Sequence, residues 1–293
     1  MQPITQGDSV TLAHGEMRVT LLTPWSKLYR RTRFSRVGFI SEVWYGDVCF
    51  TTAEETPDGQ RADCGMGLCC EYKCPGLDAK VPVGQTWLKP GVGLVTREAE
   101  PWDFKSACHA KDTPTTLETG GDWARFESLS EIVNGYGYHE KRRIDVLDDS
   151  IRVTAEFINT GSHEWDLVEY SHNFLSFHGQ RIDQHHHLLL PTVAKKPELS
   201  DESGTIQRWN GLDWSGIPTH CFLYRYPDTC DASFAWHLYR DNSPCSVAER
   251  ISEKPCHMQV WGSDRCLSPE AFVPIHIKPG KSKTWTREWF FTK

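Results

Sequence analysis

The stretch RIDVLDDSIRVTAEFINTG, residues 143–161, decides the fold class. Apolar residues alternate with polar ones on both sides of Asp148-Asp149: Ile144 and Val146 before it, and Ile151, Val153, Ala155 and Phe157 after it. A period of two is typical of strands that bury one face, and a short acidic break between two such runs is typical of a turn. The segment therefore predicts a β-hairpin.

Runs of the same kind recur along the chain, separated by Gly, Pro, Asn and Asp. They lie at 17–22, 37–45, 167–177, 233–239 and 257–261, and a last pair, 271–277 and 283–291, is joined by a turn at Pro279-Gly280-Lys281. Helical periodicity is sparse, and the polar stretch 195–216 is expected to be an excursion between strands. We predict an all-β antiparallel sandwich with few short helices, and a single domain over residues 1–293.

Composition and charge narrow the classes of partner. The 293 residues carry a formal net charge of −7, with no long basic run, so nucleic acid is not an expected partner. No apolar stretch approaches the ~20 residues that cross a bilayer, and the N-terminus lacks a secretory pattern, so we expect no membrane association and a cytoplasmic protein. The 12 Trp residues favour a surface that stacks on a small-molecule carbohydrate.

Cysteine usage argues against two common structural devices. The 11 cysteines are an odd number, which disfavours a disulfide scaffold. Cys64, Cys69, Cys70 and Cys74 form a cluster, but no second CxxC pair follows at the spacing of a zinc ribbon. Structural zinc is therefore not expected.

Three residues are candidates for chemistry. His172 lies in a run in which Tyr170, His172 and Phe174 share one face, and an imidazole can donate or accept a proton at neutral pH. Glu270 follows Pro269 just before the penultimate predicted strand, where a carboxylate could act as the complementary base. Glu71 ends a Gly-rich segment that permits close approach of a ligand. Each residue alone is equally compatible with a structural role.

An ordered set of segments resembles a known family. They are RTRFSRVGFI at 31–40, GMGLCCEY at 65–72, LKPGVGL at 88–94, NGYGY at 134–138, YSHNF at 170–174 and SPE at 268–270. Together they resemble the aldose 1-epimerase-like proteins of the galactose mutarotase-like superfamily, and the resemblance spans most of the chain. It implies the β-sandwich of that superfamily and an enzyme that acts on sugars without a cofactor.

The resemblance also implies residue roles. His172 would be the general acid on the ring oxygen and Glu270 the general base on the anomeric hydroxyl, while Arg33 would bind sugar hydroxyls. We expect four further residues to contact the substrate: Glu71, Tyr170, Asn173 and Trp261.

Two departures from the family pattern stand out. Mutarotases usually carry an additional sugar-binding His before the acid, and the nearest candidates here are His109 and His139. Many epimerases have a Glu two residues before the base, where this chain has Ser268. Both departures put simple mutarotation in question.

The run Gln184-His185-His186-His187 suggests an alternative. Alternation places His185 and His187 on one face, and two imidazoles at that spacing, completed by His172, could ligate a transition metal. A metal would favour a carbohydrate lyase, dehydratase or hydrolase over an isomerase.

Three functions therefore stay open: a mutarotase-like isomerase, a lyase, dehydratase or hydrolase on the same sandwich, and a non-catalytic sugar-binding protein. A phosphorylated substrate is also open, since four basic residues are available to grip phosphate: Arg33, Arg36, Lys105 and Arg181. The sequence predicts neither the sugar nor the oligomeric state.

Overall fold

The computed structural model describes residues 7–54, 65–74, 77, 81–98, 110–198 and 204–293. All regular structure in these residues is β-strand, which confirms the all-β class, and the few short helices that we expected are not found among them. No helix in these ranges is long and apolar enough to span a bilayer.

The strands in chain order are β1 (Ser9–His14), β2 (Met17–Leu22), β3 (Phe39–Tyr45), β4 (Val48–Cys49), β5 (Leu68–Lys73), β6 (Thr86–Lys89), β7 (Gly93–Thr96), β8 (Ala110–Asp112), β9 (Thr115–Thr119), β10 (Trp123–Leu129), β11 (Tyr138–Val146), β12 (Ser150–Asn159), β13 (Trp165–Asn173), β14 (His186–Leu189), β15 (Thr205–Arg208), β16 (Gly211–Trp214), β17 (Phe222–Tyr226), β18 (Trp236–Arg240), β19 (Ser246–Ile251), β20 (His257–Gly262), β21 (Leu267–Ile277) and β22 (Ser282–Thr292).

These strands form two large sheets and one small one. The first sheet has the order β1-β2-β3-β5-β13-β21-β20-β17, with β4 paired to β3. The second has the order β15-β16-β14-β18-β19-β22-β12-β11-β10-β9, and β6, β7 and β8 form the third. Neighbouring strands pair antiparallel, including the predicted hairpin of β11 and β12, in which Val146 pairs with Ile151.

The core lies between the two large sheets. One apolar cluster contains Val19 and Leu68 from the first sheet together with Ile144, Trp236 and Phe291 from the second. Each of these side chains is essentially buried, and burying one contributes about 1.5–3 kcal/mol relative to exposure. The alternation seen in the sequence is therefore the alternation between this core and the outer faces.

One of the two expectations about connections was wrong. The C-terminal runs form β21 and β22 with a turn between them, as expected, and this turn connects the first sheet to the second. The stretch 195–216 contains β15 and β16, which pair with each other at the edge of the second sheet. β15 at the edge is mostly exposed and β16 beside it is buried, but each has only four residues, too few for an alternating pattern to be recognised.

Burial along β13 and β21 changes partway along each strand. The residues of β13 alternate between buried and exposed up to Val168, and from Glu169 to Asn173 all are buried. In β21 the residues from Leu267 to Val273 are buried, and alternation resumes after them. The two strands are neighbours, so both are covered on two faces at the same level of the sheet.

Candidate active site

The candidate site lies on the face of the first sheet that points away from the second sheet. Leu68 and Ala271 point into the common core, so side chains one position away on β5 and β21 point outward. We call this outer surface the site face. Its members are Glu71 and Lys73 of β5, Tyr170 and His172 of β13, Ser268, Glu270 and Phe272 of β21, His257, Gln259 and Trp261 of β20, and Arg225 of β17.

His172 and Glu270 are neighbours across β13 and β21. The pairings Glu169 with Val273 and Leu175 with Leu267 bracket them without a change of register, so His172 lies opposite Glu270. Nε2 of His172 is 3.2 Å from Oε1 of Glu270, and each side chain is 4% exposed. Glu270 lies within β21, not before it as expected, and the ladder between β13 and β21 is interrupted from Phe272 to Ser268, a segment that contains Pro269.

Ser268 joins the two groups. Its hydroxyl donates to Oε1 of Glu270 at 3.0 Å and lies 2.8 Å from Nδ1 of His172. A hydroxyl has one proton, so Nδ1 must supply the proton of the second contact. This tautomer leaves Nε2 as an acceptor that faces Glu270.

An aromatic enclosure surrounds the imidazole. The His172 ring stacks on Phe174 at 4.2 Å between ring centroids. Phe34 and Trp261 make edge contacts with it, at centroid distances of 5.7 and 5.4 Å. Burial, reinforced by the positive charges of Arg33 and Lys73, holds the pKa of His172 well below its ordinary value.

Glu270 is shifted in the opposite direction. Burial raises its pKa to about 7, although Arg33, the Ser268 hydroxyl and Lys73 act to lower it. A neutral imidazole therefore faces a carboxyl group that is partly protonated at neutral pH. The pKa shifts favour one shared proton in this pair, carried by Glu270 and directed at Nε2.

A second, ionised cluster lies beside the pair. Glu71 accepts hydrogen bonds from Nε of Arg33 at 3.2 Å and from the Tyr170 hydroxyl, and its Oε1 is 3.6 Å from Nζ of Lys89. Burial alone would raise the pKa of Glu71, but Lys89, Arg33 and Tyr170 outweigh it and hold the pKa below its ordinary value. Two carboxyl groups on one face thus differ in charge because only one of them has cations in contact.

The back of the site is held by side chains that replace ladder hydrogen bonds. The side-chain amide of Asn173 accepts a hydrogen bond from the Ser171 hydroxyl at 2.9 Å and donates one to the Pro269 carbonyl at 2.6 Å. The backbone N–H of Asn173 donates to Ser268 Oγ. The buried guanidinium of Arg287 donates to the carbonyls of Glu169 and Ala271, at 3.3 and 2.8 Å. Both connections join β13 to β21 at the level of the catalytic candidates.

The structure brings most of the expected site residues together. Arg33, Glu71, Tyr170 and Trp261 surround His172 and Glu270 on the site face. Asn173 is an exception, because its side chain points into the sandwich and its amide is engaged there.

The candidates for an additional sugar-binding His do not reach the site. His139 lies in β11 of the second sheet beside Glu127, and His109 falls outside the described residues.

The structure does not bring together the three imidazoles of the metal alternative, and the described residues contain no group of three or more His, Cys, Asp or Glu arranged to hold a metal ion. His187 projects from the outer face of the second sheet, with Nδ1 2.7 Å from Asp213 and Nε2 3.4 Å from Asp241, and His185 also contacts Asp241. His172 lies on the opposite side of the sandwich, so the three imidazoles cannot converge. Alternation placed two of them correctly but could not show which sheet carries them.

Sequence reasoning missed several members of the site. Ser268 could have been found, because a residue two positions before Glu270 on a strand shares its face. The others carry no local signal, because only the pairing of distant strands and loops brings them in: Lys89, Lys73, Phe34, His257 and Arg225.

Known structures share this architecture over nearly the whole chain. The Slr1438 protein of Synechocystis sp. PCC 6803 superposes with a TM-score of 0.65 at 9% identity, covering 100% of this chain and 98% of that one. A galactose mutarotase-like protein from Clostridium acetobutylicum gives 0.60 at 11% identity, covering 97% and 94%. A galactose mutarotase related enzyme from Lactobacillus acidophilus gives 0.59 at 12% identity, covering 97% of each chain.

No protein-family model and no curated protein matches the chain by sequence. The structural likeness nonetheless shows that the chain has the galactose mutarotase-like fold, which confirms the fold that the sequence motifs implied. Proteins of one fold can differ in chemistry, so the function has to be argued from the site itself.

Proposed function

We propose that the protein is an aldose 1-epimerase-like isomerase, which interconverts the anomers of a sugar by acid–base catalysis at His172 and Glu270 without a cofactor. The observation that carries this proposal is the 3.2 Å contact between an imidazole and a carboxyl group whose pKa values are shifted in opposite directions. Groups tuned in this way are typical of acid–base pairs in enzymes.

The geometry suits the reaction because both reacting oxygens are bonded to the same carbon atom. Ring opening removes the proton of the anomeric hydroxyl, delivers a proton to the ring oxygen and breaks the bond between the anomeric carbon and the ring oxygen. The acid and the base must therefore lie side by side, as opposed residues on neighbouring strands do.

The position of the shared proton in the free protein determines which residue acts as the acid in the first step. Glu270 carries it and Nε2 of His172 is unprotonated, so Glu270 gives a proton to the ring oxygen while His172 takes one from the anomeric hydroxyl. Ring closure on the other face of the aldehyde reverses both transfers and restores the pair. This order exchanges the roles implied by the family resemblance, although the same two residues act.

The surrounding residues supply binding. In this proposal, the guanidinium of Arg33 and the carboxylate of Glu71 hold sugar hydroxyls, with Tyr170 completing the polar wall, and the half-buried indole of Trp261 stacks on an apolar sugar face. Asn173 contributes indirectly, by holding Pro269 and Ser268 in place beneath the pair.

The experiment is exchange NMR of anomeric protons over a panel of aldoses, uronic acids and sugar phosphates. Exchange that the wild-type protein accelerates, and that is lost in both His172→Gln and Glu270→Gln, would support the isomerase. New product signals without faster exchange would replace it by a lyase or hydrolase. Saturation transfer to a sugar with neither effect would leave only a binding protein.

A further inference from the structure

Beyond the catalytic pair, one end of the site face carries two cations, Lys73 and Arg225, and the imidazole of His257. Lys73 lies over two aromatic rings, with Nζ 5.0 Å from the centre of Tyr170 and 4.7 Å from that of Phe272. The imidazole of His257 stacks on the same Phe272 ring at 4.1 Å. Arg225 is paired with Gln259, which is itself paired with Glu270.

The register places this group within reach of a substrate at the catalytic pair. Arg225 and Glu270 are separated by the single strand β20, and two strand spacings amount to about 10 Å. That separation matches a hexose that has its anomeric carbon at Glu270 and a substituent at the other end of the ring. Phe272 is buried and stacked between Tyr170 and His257, and it holds these two rings in place on either side of it.

In the described part of the chain, neither Lys73 nor Arg225 makes a salt bridge, and Nε2 of His257 is buried without a hydrogen-bond partner. Glu71 cannot serve them as a counterion, because Arg33 and Lys89 already contact it. Burial, followed by the charges of Arg225 and Lys73, lowers the pKa of His257 to about 4, so its neutral imidazole would offer an anion a ring N–H and not a charge.

The local charge contrasts with that of the whole protein. The chain has a net charge of −7, yet four cations, Arg33, Lys73, Lys89 and Arg225, lie on the site face and its adjoining loops near Glu71 and Glu270. A local group of positive charges attracts an anion.

We propose that Lys73, Arg225 and His257 form a binding site for the anionic group of a sugar whose anomeric centre lies at His172 and Glu270. The ligand class is a monosaccharide with a carboxylate or a phosphate at the end of the ring opposite to the anomeric carbon. This inference rests on the proposed function for the placement of the sugar. None of the four basic residues that the sequence suggested for phosphate binding belongs to this subsite. Arg33 contacts Glu71, Arg36 pairs with Asp112 and Arg181 lies by Asp264, while Lys105 is outside the described residues.

The test compares anomer exchange of glucose, glucuronic acid and glucose 6-phosphate in the wild-type protein, Lys73→Gln and Arg225→Gln. Lys278→Gln is the matched control, because it removes an exposed positive charge from the turn after β21. We expect the ratio of kcat/KM for one anionic sugar to that for glucose to fall roughly ten-fold in each site variant and to stay unchanged in the control, since a charge-assisted contact contributes about 1.4 kcal/mol or more. Comparing the uronic acid with the phosphate identifies the anion.

The outcomes separate this inference from the proposed function. Equal ratios in all four proteins, with glucose exchange catalysed, would overturn the anionic subsite and leave the isomerase standing. If no sugar is exchanged, saturation transfer gives the answer: binding of an anionic sugar that weakens in Lys73→Gln and Arg225→Gln supports the subsite without the reaction. Absence of such binding overturns the subsite as well.

Discussion

The two sides of the sandwich each carry histidines beside carboxylates, but in different surroundings. On the site face, His172 and Glu270 are each 4% exposed and enclosed by aromatic rings. On the outer face of the second sheet, Asp241 is 52% exposed and contacts both His185 and His187. The two clusters contain the same residue types but differ in their exposure to solvent.

This difference appears in the carboxyl groups. Burial raises the pKa of Glu270 to about 7, whereas hydrogen bonds from His185 and then His187 lower the pKa of Asp241. A carboxyl group that keeps its proton at neutral pH can act as an acid, and one that is held ionised is a partner for a cation. Burial, not the presence of histidine, therefore distinguishes the candidate catalytic pair from a surface cluster.

The largest expected effect comes from substituting His172 or Glu270, with His187 on the other side of the sandwich as the comparison. We expect His172→Gln and Glu270→Gln each to lower kcat/KM for anomer exchange by roughly 10²–10⁴-fold, because each removes one proton-transfer group. His187→Gln should leave the rate within about two-fold of wild type, because substitutions at the surface usually have small effects. Equal losses of kcat/KM in the His172 and His187 variants would show that the two faces do not differ in function.

Arg287 tests whether the back of the site depends on a buried charge. Its guanidinium donates to Glu169 at 2.7 Å and to Glu249 at 2.6 Å, and all three side chains are buried. Arg287→Met leaves two carboxylates without their cation, so the free energy of unfolding should fall by about 3–5 kcal/mol in a urea titration.

The control for Arg287 is Arg143→Met, which removes an exposed arginine beside Asp145 and should cost about 1 kcal/mol or less. A similar small cost for Arg287→Met would show that the buried network does not hold β13 against β21.

Ser268 has an intermediate effect, on activity more than on stability. Ser268→Ala removes the acceptor for Nδ1 of His172 and the donor to Glu270, so kcat should fall roughly ten-fold while KM changes less. The ¹⁵N shifts of the His172 ring should also change, because the tautomer loses its partner. Rescue of both signals by Ser268→Thr would separate hydrogen bonding from packing; failure of the threonine variant together with unchanged ¹⁵N shifts in the alanine variant would reject the positioning role.

The smallest effect is expected at the surface cluster itself. Asp241→Asn breaks contacts with His185 and His187 at an exposed position, and such contacts contribute about 0–1 kcal/mol. Thermal unfolding of this variant should stay close to that of wild type. A loss as large as that of Arg287→Met would mean that the outer face of the second sheet is not merely a solvated surface.

The sequence contained enough to predict the fold class and the catalytic candidates. The period of two at 144–157 identified a hairpin, and the same rule put Tyr170 and His172 on one face. It could not orient that face, because β13 is buried on both sides beyond Val168 and its inner face carries Glu169, Ser171 and Asn173, which are polar. Arg287, far along the chain, is what makes a polar inner face tolerable.

The same limit explains why the sequence left the metal alternative open and why it did not identify Lys73, Arg225 and His257 as neighbours. Strand periodicity shows which residues share a face, but the pairing of β13 with β21 and of β20 with β17 is set by long-range packing. His172 and His187 therefore looked compatible until their sheets were known. Arg225 gave no signal, since an exposed arginine in a strand is usually solvated.

The most direct test of the account is the pH dependence of kcat/KM for anomer exchange, which reports the protonation of the free enzyme. The proposed mechanism requires one proton on the His172–Glu270 pair, and Glu270 loses it with a pKa of about 7. We predict that kcat/KM falls as the pH rises through about 7. A rate that instead increases through the same pH and stays high in alkaline solution would show that the unprotonated pair is active, and would contradict the shared-proton mechanism.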